Sequence, residues 1–162
     1  MSDINLRRHL LDLLQGGGAH LGWEEAVSDF PAKMRGVKPQ GAQHTAWQLL
    51  EHLRIALWDI LEFSRDPRHR SPDFPAGYWP ATETPPDGQA WEGSIRAIRE
   101  HMREMCALIG DESHDLFARI DHPEAKEEHT LLREALLVAD HNAYHVGQLV
   151  QLRRFLGTWP GA

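Results

Sequence analysis

Apolar residues recur along this chain at helical spacing, and glycines and prolines interrupt the pattern at a few places. Ile4, Leu6, Leu10, Leu13 and Leu14 follow Ser2 at steps of three and four, which predicts a first helix. The run Gly16-Gly17-Gly18 ends it, because glycine tolerates the left-handed or loose backbone found past a helix end. A second pattern from about Gln43 to Arg65 places Leu49, His52, Ala56, Asp59 and Phe63 on one face, with Pro67 as terminator. After Asp87, read as an N-cap, Trp91, Ile95, Ile98, Met102, Met105 and Ile109 define a third helix ending at Gly110. A fourth runs from about Thr130 to Phe155, with Val138, His141, His145, Gln148, Leu152 and Phe155 on its inner stripe and Gly157 and Pro160 closing it.

Between the second and third helices, residues 66–86 hold six prolines (67, 72, 75, 80, 85 and 86) with Tyr78 and Trp79, and show no sustained period. So long a connection lets the third helix start at the far end and run parallel to the second. No run of alternating β-branched residues appears, so the expected class is all-α: a single-domain four-helix bundle over residues 1–162, up-down-down-up, with a proline-rich crossover.

Composition narrows the function without naming it. Hydrophobic residues make up 41% and charged residues 25% of the 162, which places the chain among globular domains rather than disordered ones. Asp and Glu outnumber Lys and Arg 24 to 17, and the basic residues are scattered, so no nucleic-acid partner is expected. The longest purely apolar run, Ala135–Ala139, is far short of a membrane span, and the first residues lack the unbroken apolar stretch of a secretion signal. A single cysteine, Cys106, fits a reducing compartment, and a cytoplasmic protein is expected. Its place beside Met105 and Ile109 reads as a small core residue rather than a nucleophile, and Tyr144 and most of the tryptophans read as core residues too.

Of the eleven histidines, most read as surface or loop residues. His141 and His145 differ. An i, i+4 pair lies about 40° apart around a helix, so both rings leave one face from adjacent turns, and here they interrupt an apolar stripe. Buried imidazoles need partners, and backbone carbonyls could supply them. His52 shifts the balance toward a ligand set, because it interrupts the stripe of the second helix in the same way and bundles build metal sites from facing helices. Three neutral imidazoles suit a divalent ion, zinc or nickel first, and leave a coordination position for substrate or water. A fourth ligand would have to come from His44, Glu51 or Asp59, but Asp59 lies about 10 Å along the axis from His52, so none is assigned. Gln148, one turn beyond His145, is the candidate to orient a ligand or a bound group. Asn142 stands where the HExxH proteases carry their general base, which argues against that class. Tyr78 and Trp79 are candidate walls of a pocket.

Three segments together resemble the DinB-like superfamily of metalloenzymes. They are His44-Thr45-Ala46-Trp47-Gln48-Leu49-Leu50-Glu51-His52-Leu53, Gly77-Tyr78-Trp79-Pro80, and His141-Asn142-Ala143-Tyr144-His145-Val146-Gly147-Gln148. The resemblance implies an up-down-down-up bundle, a metal held by His52, His141 and His145, and a homodimer. Among such relatives are thiol S-transferases that use bacillithiol, mycothiol or glutathione, thiol-dependent isomerases and hydrolases, and many members have no known reaction. The expectation is therefore a metal-dependent enzyme activating a low-molecular-weight thiol or water against an electrophilic small-molecule substrate. The alternative is a non-catalytic metal-binding stress-response protein or dimerisation module.

Overall fold

The computed structural model describes residues 3–16 and 18–159. Ser2, Gly17 and Pro160, named above at helix ends, lie outside the described residues. Among the described residues five α-helices form: α1 (Ile4–Leu14), α2 (Trp23–Val27), α3 (Ala46–Arg65), α4 (Ala90–Gly110) and α5 (Leu131–Phe155). Among the described residues no strand forms, and Arg119 and Thr130 make an isolated antiparallel bridge. No described helix is long and apolar enough to cross a membrane.

Capping chemistry sets the helix starts more sharply than apolar spacing could. α3 begins at Ala46 rather than Gln43, because Thr45 Oγ1 accepts from Gln48 N at 3.2 Å while Gln48 Oε1 accepts from Thr45 N at 3.0 Å. Asp87 does cap α4, but from two residues before the boundary, its Oδ1 accepting from the amides of Gln89 and Ala90 at 2.8 Å each. Thr130 caps α5 by accepting from Arg133 N at 3.2 Å. At the other ends, Gly16 and Gly157 adopt φ of +78° and +63°, the left-handed turn that glycine makes without a Cβ clash.

One contiguous apolar cluster draws buried residues from all five helices, including Leu10, Val27, Leu57, Met105 and Leu149. Burying side chains of this size contributes roughly 1.5–3 kcal/mol each. Along the helices, Glu51 accepts from Ser94 and Arg65 pairs with Glu104 at 2.7 Å, tying α3 to α4 at two levels. On the opposite flank His52 meets His141 and His145, and the Phe63 ring lies 5.4 Å from that of His129, just before α5.

Helix α2 is absent from the sequence-based expectation, since five residues are too few to display a period. It is held in place by Arg153, 1% exposed, which donates to the carbonyls of Ala26 and Ser28 at 3.1 and 2.7 Å. Arg7 acts similarly on the end of α4, donating to Ile109 O at 2.6 Å, a carbonyl of the last turn, and to Asp111 O at 3.0 Å just beyond it. Three expectations of burial need correction. Tyr144 and Phe155 are 65% and 63% exposed, the first turned off the apolar stripe and the second at the last turn of α5. Cys106 is only partly buried, packed against the core rather than inside it.

Candidate metal centre

The capping box at Thr45 fixes the phase of α3, and seven residues later that phase turns His52 toward α5. There it meets His141 and His145, which stand one turn apart with ring centroids separated by 4.5 Å. The His52 ring lies 4.8 Å from that of His141 and 4.6 Å from that of His145. One ring nitrogen from each of the three falls within 4.8 Å of the others. His141 Nε2 and His52 Nε2 approach to 3.0 Å.

The second nitrogens of two rings are engaged elsewhere, which fixes what the rings present to the centre. His52 Nδ1 lies 2.8 Å from the carbonyl of Tyr78, and His145 Nδ1 lies 2.8 Å from Gln148 Oε1. Both oxygens only accept, so each Nδ1 carries the proton and each Nε2 keeps its lone pair for the centre. Burial holds all three imidazoles below the ordinary histidine pKa: His141 is pushed down to about 3, with the neighbouring His145 and His52 adding to the effect. His145 is pushed down to about 4 by burial and then by His52 and His44, against the opposing bond to Gln148. His52 is lowered chiefly by burial, against the Tyr78 carbonyl. At neutral pH the three are therefore uncharged, the form that binds metal.

This donor set fits a divalent ion. Imidazole nitrogens bound tetrahedrally at about 2.0–2.1 Å from zinc stand roughly 3.3 Å apart, close to the spacing already present between His52 and His141. A family model described as the DinB superfamily matches residues 22–149. The chain belongs to the DinB superfamily. The matched span contains all three histidines of the cluster. No curated protein and no solved structure matches the chain.

In this DinB-superfamily chain the loop before α4 builds one wall of the centre. Its Trp79 indole stacks on His52 at 4.0 Å with planes 3° apart, and on His44 at 3.9 Å. Tyr78 is not a cavity wall: its side chain turns toward α3, and its hydroxyl donates to Asp59 Oδ2 at 2.5 Å. Burial, reinforced by that carboxylate, holds the Tyr78 phenol well above its ordinary pKa, so it remains a donor. Asp59 Oδ1 also accepts from His69 Nε2 at 2.7 Å, and His122 Nε2 donates to the His69 carbonyl at 3.0 Å.

None of the candidate fourth ligands joins the cluster. Asp59 is held by Tyr78 and His69, Glu51 by Arg54 and Ser94, and His44 stacks on Trp79. His69 and His122, expected on the surface, are 9% and 2% exposed. Nothing in their local sequence announces this, because the bonds that tie each ring into the fold, His69 to Asp59 and His122 to the His69 carbonyl, span at least ten residues of chain.

A cavity of about 470 Å³ adjoins the centre, lined among others by His44, Trp79, Tyr144, His145, Gln148 and Phe155. The larger cavity of about 770 Å³ beside Trp91 and Arg35 reaches none of the three histidines.

Proposed function

We propose that this chain is a metal-dependent enzyme in which His52, His141 and His145 hold a divalent ion, zinc or nickel, and a small thiol or water is activated there against an electrophilic small molecule. The observation that carries this reading is a cluster of three neutral imidazoles beside an open cavity. A bound ion would supply Lewis acidity, favouring the deprotonated form of a thiol or water near neutral pH. The chain's own part is to orient. The Tyr78 carbonyl and Gln148 hold the His52 and His145 tautomers, and Trp79 covers one face of His52.

The same reading includes a cytoplasmic homodimer built on an up-down-down-up bundle. In support of that topology, Glu51 and Arg65 of α3 meet Ser94 and Arg65's partner Glu104 of α4 in the same order, whereas Arg7 of α1 reaches the last turn of α4. A non-catalytic metal-binding module is the alternative. It is favoured by the lack of any carboxylate general base among the described residues lining the cavity.

Metal analysis of protein purified without a histidine tag comes first, followed by a screen of the loaded form with small thiols and electrophiles, using His52→Ala as control. Turnover that disappears in the variant is expected. Turnover that survives in His52→Ala takes the reaction away from the three-histidine site, and none across a broad screen selects the binding module.

A further inference from the structure

The cavity walls have a chemistry of their own. At 100° per residue, Tyr144, Gln148, Gln151 and Phe155 fall within an arc of about 60° on α5, and all four line the cavity. Tyr144 and Phe155 leave most of their surface to solvent, so their large apolar faces are not spent on the core. Trp79 supplies a third aromatic wall. Between these surfaces the polar groups are the amides of Gln43, Gln148 and Gln151, the Tyr144 hydroxyl and the imidazoles of His44 and His145, which burial keeps below the ordinary histidine pKa. Among the described lining residues there is no Lys, Arg, Asp or Glu. The cation felt nearby, Lys38, acts on His44 from outside the lining and is paired with Glu83.

Such walls discriminate by charge. A carboxylate taken from water into this cavity finds no counter-ion, whereas an amide or hydroxyl finds amide partners, and a flat apolar body finds aromatic faces. The volume lies within the range of small-molecule sites and admits a substituted aromatic ring. Negative charge is accommodated at the histidine end alone, where a deprotonated donor would meet the ion.

We propose that the cavity takes a small uncharged molecule with an aromatic body and an amide or hydroxyl group, its donor atom turned toward the three histidines, and that it discriminates against co-substrates bearing a carboxylate. This rests on the metal-dependent reading for the anchoring of the donor atom, but the selection by charge belongs to the walls.

Two isosteric pairs test it. The cobalt-loaded full chain is titrated with 4-(mercaptomethyl)benzamide and with 4-(mercaptomethyl)benzoate, following the sulfur-to-cobalt charge-transfer absorption, which reports only ligands anchored through sulfur. The amide is expected to bind at least about tenfold tighter, as burying an unpaired carboxylate demands. In parallel, the metal-free protein at pH 8 is titrated by NMR with 4-methylbenzamide and 4-methylbenzoate. The amide should again be preferred, and Tyr144→Ala, a change at an exposed position, should weaken it several-fold. Equal or tighter binding of the carboxylates, or binding of neither methyl compound, overturns the inference. Failure of cobalt to bind overturns the metal-dependent reading instead, and the metal-free titration then decides the inference about the walls.

Discussion

His52 donates from Nδ1 to the backbone carbonyl of Tyr78 across 2.8 Å, joining a helix residue of the candidate centre to the proline-rich loop. The same Tyr78 is tied back to α3 through its hydroxyl, 2.5 Å from Asp59 Oδ2. The loop is thus clamped at both ends of one residue, and the clamp sets the tautomer and orientation of His52.

Tyr78→Phe removes the hydroxyl but keeps the ring and the carbonyl. Freed from Asp59, the loop should hold the His52 ring less firmly, and metal affinity should fall by about 10-fold, the lower end of what loss of an outer-sphere partner produces. Competition against a chelator of known affinity measures it. Affinity unchanged alongside a lowered melting temperature would confine the Tyr78–Asp59 bond to a folding role.

His141→Ala deletes a nitrogen that stands 3.0 Å from His52 Nε2. Its effect on metal affinity should exceed the roughly 100-fold upper range of outer-sphere changes, because a ligand itself is lost. Unaltered stoichiometry and affinity in this variant would remove the three-histidine centre from consideration.

Metal should also couple α3 to α5. The unfolded chain holds no preformed site, so an ion at a hundred times its dissociation constant adds about 2.7 kcal/mol by mass action. For a chain of this length that corresponds to a rise in melting temperature of roughly 5–10 °C. Calorimetry of chelated and reloaded protein reads the difference, and coincident transitions would count against selective binding by the folded state.

The long helices and the three clustered histidines were legible in the sequence because each rests on periodicity. A four-residue step places His141 and His145 on one face whatever lies opposite, and the stripe around His52 turns it inward. Other features depend on contacts far apart in the chain. Nothing near Arg7 or Arg153 shows that each is buried against carbonyls more than a hundred residues away. Tyr78 and Trp79 were marked as pocket walls by their loop, yet only Trp79 faces the cavity, because Asp59 draws the neighbouring side chain to α3. The exposure of Phe155 follows from helix length: the stripe continues to the last turn of α5, beyond the point where the bundle covers it.

Acid should destabilise the metal-free protein through the same histidines. Burial sets His141 at about 3 and His145 at about 4 and lowers His52 as well, while an unfolded histidine titrates near 6.5. Between those values the unfolded chain has taken up protons that the folded chain refuses. Stability therefore increases with pH across this window, is fully present above about 6.5, and is lost as pH falls toward 4. Each histidine in this state can add a slope of up to about 1.4 kcal/mol per pH unit. Carboxylates elsewhere also titrate toward the lower end, so the comparison is made between wild type and His141→Gln, metal-free, by denaturant unfolding from pH 8 to pH 5. The variant has no imidazole to protonate at that position and should show the shallower dependence. Identical slopes would mean that the folded protein does not hold His141 in the neutral form, and with it would go the physical basis for a ready metal ligand at that position.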